Sequence, residues 1–197
     1  MSKIEDDTKG GFNTFVREQQ GEEGTATVSL YDFNTSVTLL YDAIPIDEVP
    51  KLTSENYSPG GQTALHDAIA EAIKSTDDQI QTRASSDEPD NVIIVVLTDG
   101  KENASETPQD RVRGLVEEYR EERDWEFVFI GANQDAALTA ESMGMDTDKS
   151  LNMTHSGEGA KSAYESTSKV VSETRRQGET GGFDEADRKR QRDVDGP

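Results

Sequence analysis

The stretch NVIIVVLTDG, residues 91–100, decides the fold. From Val92 to Leu97 every side chain is aliphatic and none alternates with a polar one. That is the pattern of a strand covered by helices on both faces. Before it, Leu65, Ala68, Ile69, Ala72, Ile73, Thr76 and Ile80 fall on one helical stripe, which the polar connector Ala84 to Asp90 closes. After it, Thr107-Pro108-Gln109-Asp110 reads as a helix start, with Thr107 as N-cap and proline in the first turn. That helix carries Val112, Leu115, Val116 and Tyr119 inward, and WEFVFI (residues 125–130) follows as a second inner strand.

Farther out, Ile4, Thr8, Phe12, Phe15, Val16 and Gln19 predict a helix over residues 3 to 20, with Gly10 and Gly11 as points of close approach. Thr25 to Phe33 and Val37 to Tyr41 read as a hairpin, and residues 42 to 62 as mostly loop. Ala136 to Met143 is a short helix that Asp135 can cap. An edge strand lies around Leu151 to Met153, and Gly157 to Arg175 forms the last helix. Strands alternating with helices in this way predict an α/β fold, a three-layer doubly wound, mostly parallel sheet flanked by helices. Residues 1–175 form the expected domain. Residues 176–197, with almost nothing to bury, are expected to be a disordered tail of mixed acidic and basic character.

Composition excludes several kinds of function. The chain has 197 residues, 41 acidic against 20 basic, a net charge of -21 and no cysteine. There is no disulfide framework, thiolate nucleophile or Cys-ligated metal, and His66 and His155 alone do not make a multi-histidine centre. So strong a negative charge repels nucleic acid and anionic membranes, so neither is an expected partner. The acidic excess is spread along the chain, as in proteins from organisms that keep molar salt in the cytoplasm, halophilic archaea among them. No apolar segment has the length of a signal peptide core or a membrane span, and the chain reads as cytoplasmic.

In a wound sheet, ligands bind beyond the C-terminal ends of the strands. The two segments there are Gly60-Gly61-Gln62-Thr63, before a helix, and Asp99-Gly100, after the inner strand. The Thr63 hydroxyl can cap its helix or act as an oxygen ligand, and Gly100 lets the chain turn and present the Asp99 carboxylate. One hydroxyl and one carboxylate match the ligand chemistry of magnesium or manganese (Mg2+ or Mn2+). They match ordinary capping and turn formation as well.

YSPGGQTALHDAI (57–69), VIIVVLTDGKENAS (92–105) and WEFVFIGANQDA (125–136) together, in this order, resemble the von Willebrand factor type A (vWA) family, of its small microbial cytoplasmic kind. The resemblance covers roughly residues 1 to 175. It implies a metal-ion-dependent adhesion site in which Thr63 and Asp99 are ligands and Asp67 lends second-shell or helix-start support. The family's Asp-x-Ser-x-Ser loop is absent from this chain, and no strand precedes the first helix. The resemblance therefore implies a domain whose central first strand is missing, N-terminally incomplete, with a partial site.

The function so implied is a cation-assisted protein-interaction module, not an enzyme, whose ion accepts an acidic side chain from a protein partner. The alternative is a metal-independent structural or interaction protein with a degenerate site. A metal-assisted hydrolase has less support, since the chain carries no phosphate-cradling loop, dinucleotide fingerprint or nucleophile elbow. His66 is expected to be exposed or partly packed, without an acid-base role.

If the acidic surface is an adaptation to molar salt, the melting temperature should rise steeply between dilute buffer and molar potassium chloride, as the Debye length shrinks. A thermal melt series that stays flat or falls over that range would remove this reading.

Overall fold

In a computed structural model the protein is described over residues 4–84, 87–133 and 135–195. Six helices, α1 (Glu5–Gln20), α2 (Leu65–Gln81), α3 (Gln109–Arg123), α4 (Ala136–Ser142), α5 (Gly157–Gln177) and α6 (Glu185–Asp195), flank five strands: β1 (Thr27–Phe33), β2 (Val37–Pro45), β3 (Ile93–Thr98), β4 (Glu126–Ala132) and β5 (Ser150–Met153). The fold is α/β, as the alternation of periods requires. Its strands, however, fall into two sheets instead of one, an antiparallel pair β1-β2 and a parallel sheet in the order β3-β4-β5.

Helices cover both sheets. On one face α2 and α3 bury Leu65, Ile69, Ile73, Val112 and Val116 against Val96, Phe127 and Phe129, and Phe33 of β1 packs against the same cluster. On the other face Val128, Ile130 and Leu151 meet Ala160, Ala163 and Val170 of α5, with Ile4 beside them. A third cluster joins Phe12 and Val16 of α1 to the hairpin through Tyr41 and Ile46. The close approach expected at the glycine pair occurs at Gly11, where an added Cβ would lie 2.1 Å from the Tyr164 ring of α5. Gly10 has open space around it.

The two inner strands differ from each other. Every residue of β4 is buried, whereas Val95 of β3 is 38% exposed and Ile93, Ile94 and Leu97 are only half-buried. The sequence reading of Val92 to Leu97 as a fully covered strand holds for its helix-covered faces, where Ile94 and Val96 enter one cluster and Ile93 and Leu97 the other. It fails at the edge, because among the described residues β3 has a strand neighbour on one side only.

Two further expectations are corrected. Thr107 is not the cap of α3: Pro108 holds that position, extended at φ -65 and ψ 149, and no side chain caps it. Nor do the described residues of the expected tail, 176–195, lack structure, while 196 and 197 lie outside the described residues. α5 runs through Gln177 to a left-handed Gly178, and α6 packs back against α5 and β5. Phe183 is 4% exposed, and Asp187 and Gln191 are buried. The anchoring is polar. Asp184 and Asp187 cap each other's backbone N–H at 2.9 Å. Gln191 accepts from Thr154 N at 2.9 Å and donates to the Gly159 carbonyl at 3.0 Å. Arg188 donates to the Ser150 carbonyl at 2.9 Å. Composition could not flag this segment because hydrogen bonds, more than apolar area, hold it.

Phe183→Ala is expected to lower stability by about 3 kcal/mol, the usual cost of emptying a buried phenylalanine site. Urea unfolding in molar potassium chloride would show it. An unchanged midpoint would mean that α6 is only loosely attached.

Candidate metal site and its supporting loop

Ala64 is the N-cap of α2 and has no side-chain oxygen for the donors of the first turn. Thr63 does not supply one either. Those donors are met from the loop after β3. Glu102 Oε2 accepts from His66 N at 3.0 Å, and Ser105 Oγ accepts from Asp67 N at 3.1 Å. The same Glu102 carboxylate folds its own loop, accepting from Ala104 N and Ser105 N at 2.8 Å each and from Ser105 Oγ at 2.7 Å.

Asp67 reaches the other way. Its two oxygens accept from Glu106 N at 3.0 Å and from Thr107 N at 2.8 Å, so the support expected of Asp67 is given to the loop that leads into α3. Thr63 and Asn103 close the brace: Thr63 N donates to Asn103 Oδ1 at 2.9 Å and Asn103 N to the Thr63 carbonyl at 3.1 Å. The chain before α2 also meets the hairpin, since Ala64 N donates to the Asn34 carbonyl at 2.7 Å.

This brace presses Thr63 onto Gly100. A Cβ at Gly100 would lie 2.3 Å from Thr63 Oγ1, and Gly100 has no positive φ. The glycine is needed for close approach, not for the sharp turn the sequence suggested. Thr98 Oγ1, buried, shapes the turn by accepting from Gly100 N at 3.2 Å. Thr63 thus packs against the residue that follows Asp99.

Sequence reasoning missed two residues that meet Asp99. His155, after β5, places Nε2 3.2 Å from Asp99 Oδ2. Asn133, left-handed at φ 58 just after β4, donates from Nδ2 to the Asp99 carbonyl at 3.2 Å and lies 3.2 Å from His155 Nδ1. The sheet order β3-β4-β5 brings these three loop residues together, and no local spacing announces it. Asp135 caps α4 as expected, accepting from Leu138 N at 3.2 Å. His66 is mostly buried, its ring 4.0 Å from Glu102. Among the described residues no group of three or more histidines and acids is arranged to hold a metal ion. None of the described helices is long and apolar enough to cross a membrane.

The brace is electrostatically tuned. Burial works against the charge on Asp67 and Glu102, but hydrogen bonds prevail. At Asp67 they come from the Thr107 hydroxyl and the Glu106 and Thr107 amides, and at Glu102 from Ser105, His66 and Ala104, so both carboxyls are held below their ordinary range.

No family model matches the chain, and no curated protein matches it. Among solved structures the chain is similar to proximal thread matrix protein 1 from the mussel byssus, at 15% identity and a TM-score of 0.60, over 85% of this chain and 43% of that one. A second crystal form of the same protein gives 16% identity and a TM-score of 0.56, over 85% and 40%. The chain therefore spans less than half the length of the solved structures it matches. At such identity the likeness shows the general α/β fold alone.

Because both brace carboxyls have folded values below the ordinary 3.8 and 4.5, they stabilise the fold fully above those values and lose that contribution as pH falls through the lower folded ones. Acid unfolding followed below about pH 4.5 should therefore become shallower in Asp67→Asn and Glu102→Gln. Equal slopes in the variants and the parent would contradict the brace.

Proposed function

We propose that the chain is a protein-interaction module of the vWA-like kind, cytoplasmic and without catalytic residues, whose binding rim is the C-terminal edge of β3. The single observation that carries the reading is the Thr63 hydroxyl seated on Gly100, the residue after Asp99, with Thr63 bonded to Asn103 in the loop that Glu102 and Asp67 brace. Two sheets in place of one also accord with a vWA sheet that lacks its central first strand.

The donors fit a hard cation only in part. Thr63 Oγ1 and an Asp99 oxygen are chemically suited to Mg2+ or Mn2+, which keep most of their shell as water and ordinarily take one or two carboxylates. When bound, such an ion supplies a positive centre for a partner's acidic side chain. Thr63 and Asp99 hold it, and Asp67 keeps the loop in place. With so few protein ligands the affinity is weak.

One observation favours the metal-independent reading: His155 Nε2 lies 3.2 Å from the same carboxylate that would face the ion. Calorimetric titration with magnesium and manganese chloride in molar potassium chloride separates the two. Under the cation reading, weak saturable heat disappears in Thr63→Ala and Asp99→Asn and strengthens in His155→Ala, which removes the imidazole from beside the Asp99 carboxylate. No heat in any of the four proteins would leave the rim as a metal-independent surface.

A further inference from the structure

His155 meets Asp99 from a turn that three helices hold. Thr154, the residue before it, is bonded twice to Gln191 of α6: its N–H donates to Gln191 Oε1 at 2.9 Å and its hydroxyl to the Gln191 carbonyl at 2.8 Å. Gln191 Nε2 in turn donates to the Gly159 carbonyl at 3.0 Å, so one side chain ties the end of β5 to the first turn of α5. Gln191 is 3% exposed, and a bond lost there leaves a buried group unsatisfied.

The turn has little slack on its other sides. An added Cβ at Gly159 would lie 2.1 Å from the Thr154 carbonyl oxygen, and one at Gly157 would lie 2.5 Å from Asp7 Oδ2 of α1. Ser156 N donates to the Thr154 carbonyl at 2.8 Å, and Ser156 Oγ accepts from Gly159 N at 3.0 Å. Between these neighbours the His155 ring lies with Nε2 3.2 Å from Asp99 Oδ2 and Nδ1 3.2 Å from Asn133 Nδ2. The helices that grip the turn are not equally fixed. α5 buries Ala160, Ala163 and Val170 in the core, whereas α6 is held by polar bonds, with Phe183 just before it as its large apolar anchor. Of the two, α6 is the cheaper to detach.

We propose that α6 is an autoinhibitory latch on the rim, with Gln191 as its positioning residue. Gln191 holds the Thr154 turn so that the imidazole of His155 stays on the Asp99 carboxylate. Undocking of α6 releases the turn, and the ring then leaves Asp99 to a cation. The contacts run in one line, from Gln191 to Thr154, from Thr154 to the next residue His155, and from His155 to Asp99. The consequence for the rim rests on Asp99 as a cation ligand, whereas the hold of Gln191 on His155 does not.

The chain has two histidines, so imidazole 1H–15N spectra report on His155 with His66 as an internal reference. Gln191→Met keeps the volume and removes both side-chain bonds, and Phe183→Ala loosens the segment at its other end. Spectra are taken in molar potassium chloride with EDTA, so that the outcome is independent of metal. In both variants the His155 ring signals should shift and exchange of the Thr154 amide should quicken by roughly tenfold or more. The His66 signals and exchange within β4 should stay as in the parent. His155 signals unmoved in both variants overturn the latch, and so does equal movement of both rings, which would mean a general loosening. Calorimetric titration with magnesium chloride then reads the rim. Affinity should rise in Gln191→Met as in His155→Ala, and no further in the double variant, since both changes act through one contact. Additive gains, or a gain in His155→Ala alone, would show that α6 does not control the rim. Absence of heat in every protein refutes the cation reading by itself and leaves the spectra to decide the hold on His155.

Discussion

A helix whose N-cap is alanine cannot complete its own first turn, and in this protein the remedy ties the molecule together. The donors of α2 draw in Glu102 and Ser105 from the loop after β3, and Asp67 sends its carboxylate out to the next stretch of that loop. Ala64 N turns to the end of β1. One turn of helix thereby connects two sheets that share no backbone ladder. The positions of Thr63 and Gly100 follow from it, because each lies within two residues of a braced atom, whereas Asp99 is met by Asn133 and His155. Most of the bonds involve a carboxylate or a polar side chain meeting main-chain N–H, which makes the joint directional where apolar packing alone would let the helix slide.

The sequence made the layers legible wherever periodicity was strong: the aliphatic run of β3, the stripe of α2 and the aromatic run of β4. It also pointed to Thr63, before α2, and Asp99, after β3, and the structure brings Thr63 against Gly100, the residue after Asp99. Glu102 and Ser105 were within reach of sequence reasoning too. An acid and a hydroxyl three residues apart in a loop that must pass a helix N-terminus are the ingredients of a cap supplied from outside the helix. His155 was not legible, because only the lateral order of the strands brings it to Asp99.

α6 shows the opposite limit. A stretch rich in Asp, Glu, Lys and Arg carries the composition of a solvated tail, and hydropathy has no means of telling a carboxylate in water from Asp187, which is wholly buried. What settles the matter is specificity. Asp184 and Asp187 satisfy each other's backbone, Gln191 reaches two main-chain groups, and Phe183 alone contributes a large apolar side chain to the core. Buried polar residues of this kind fix where a helix docks more than how strongly it is attracted.

The division into two sheets also divides the chain. The hairpin sheet, with α1 and α2, comes wholly from residues 5–81, and the parallel sheet, with α3 to α6, wholly from residues 93–195. Every strand pairing is therefore made within one half, so no ladder has to wait for the other half to be synthesised. The halves meet through the apolar face of α2 on β3 and β4, through the Gly11–Tyr164 contact between α1 and α5, and through the first turn of α2. Among the described residues the two halves are therefore joined chiefly by side chains, α2 on the parallel sheet and α1 on α5, and by no backbone ladder.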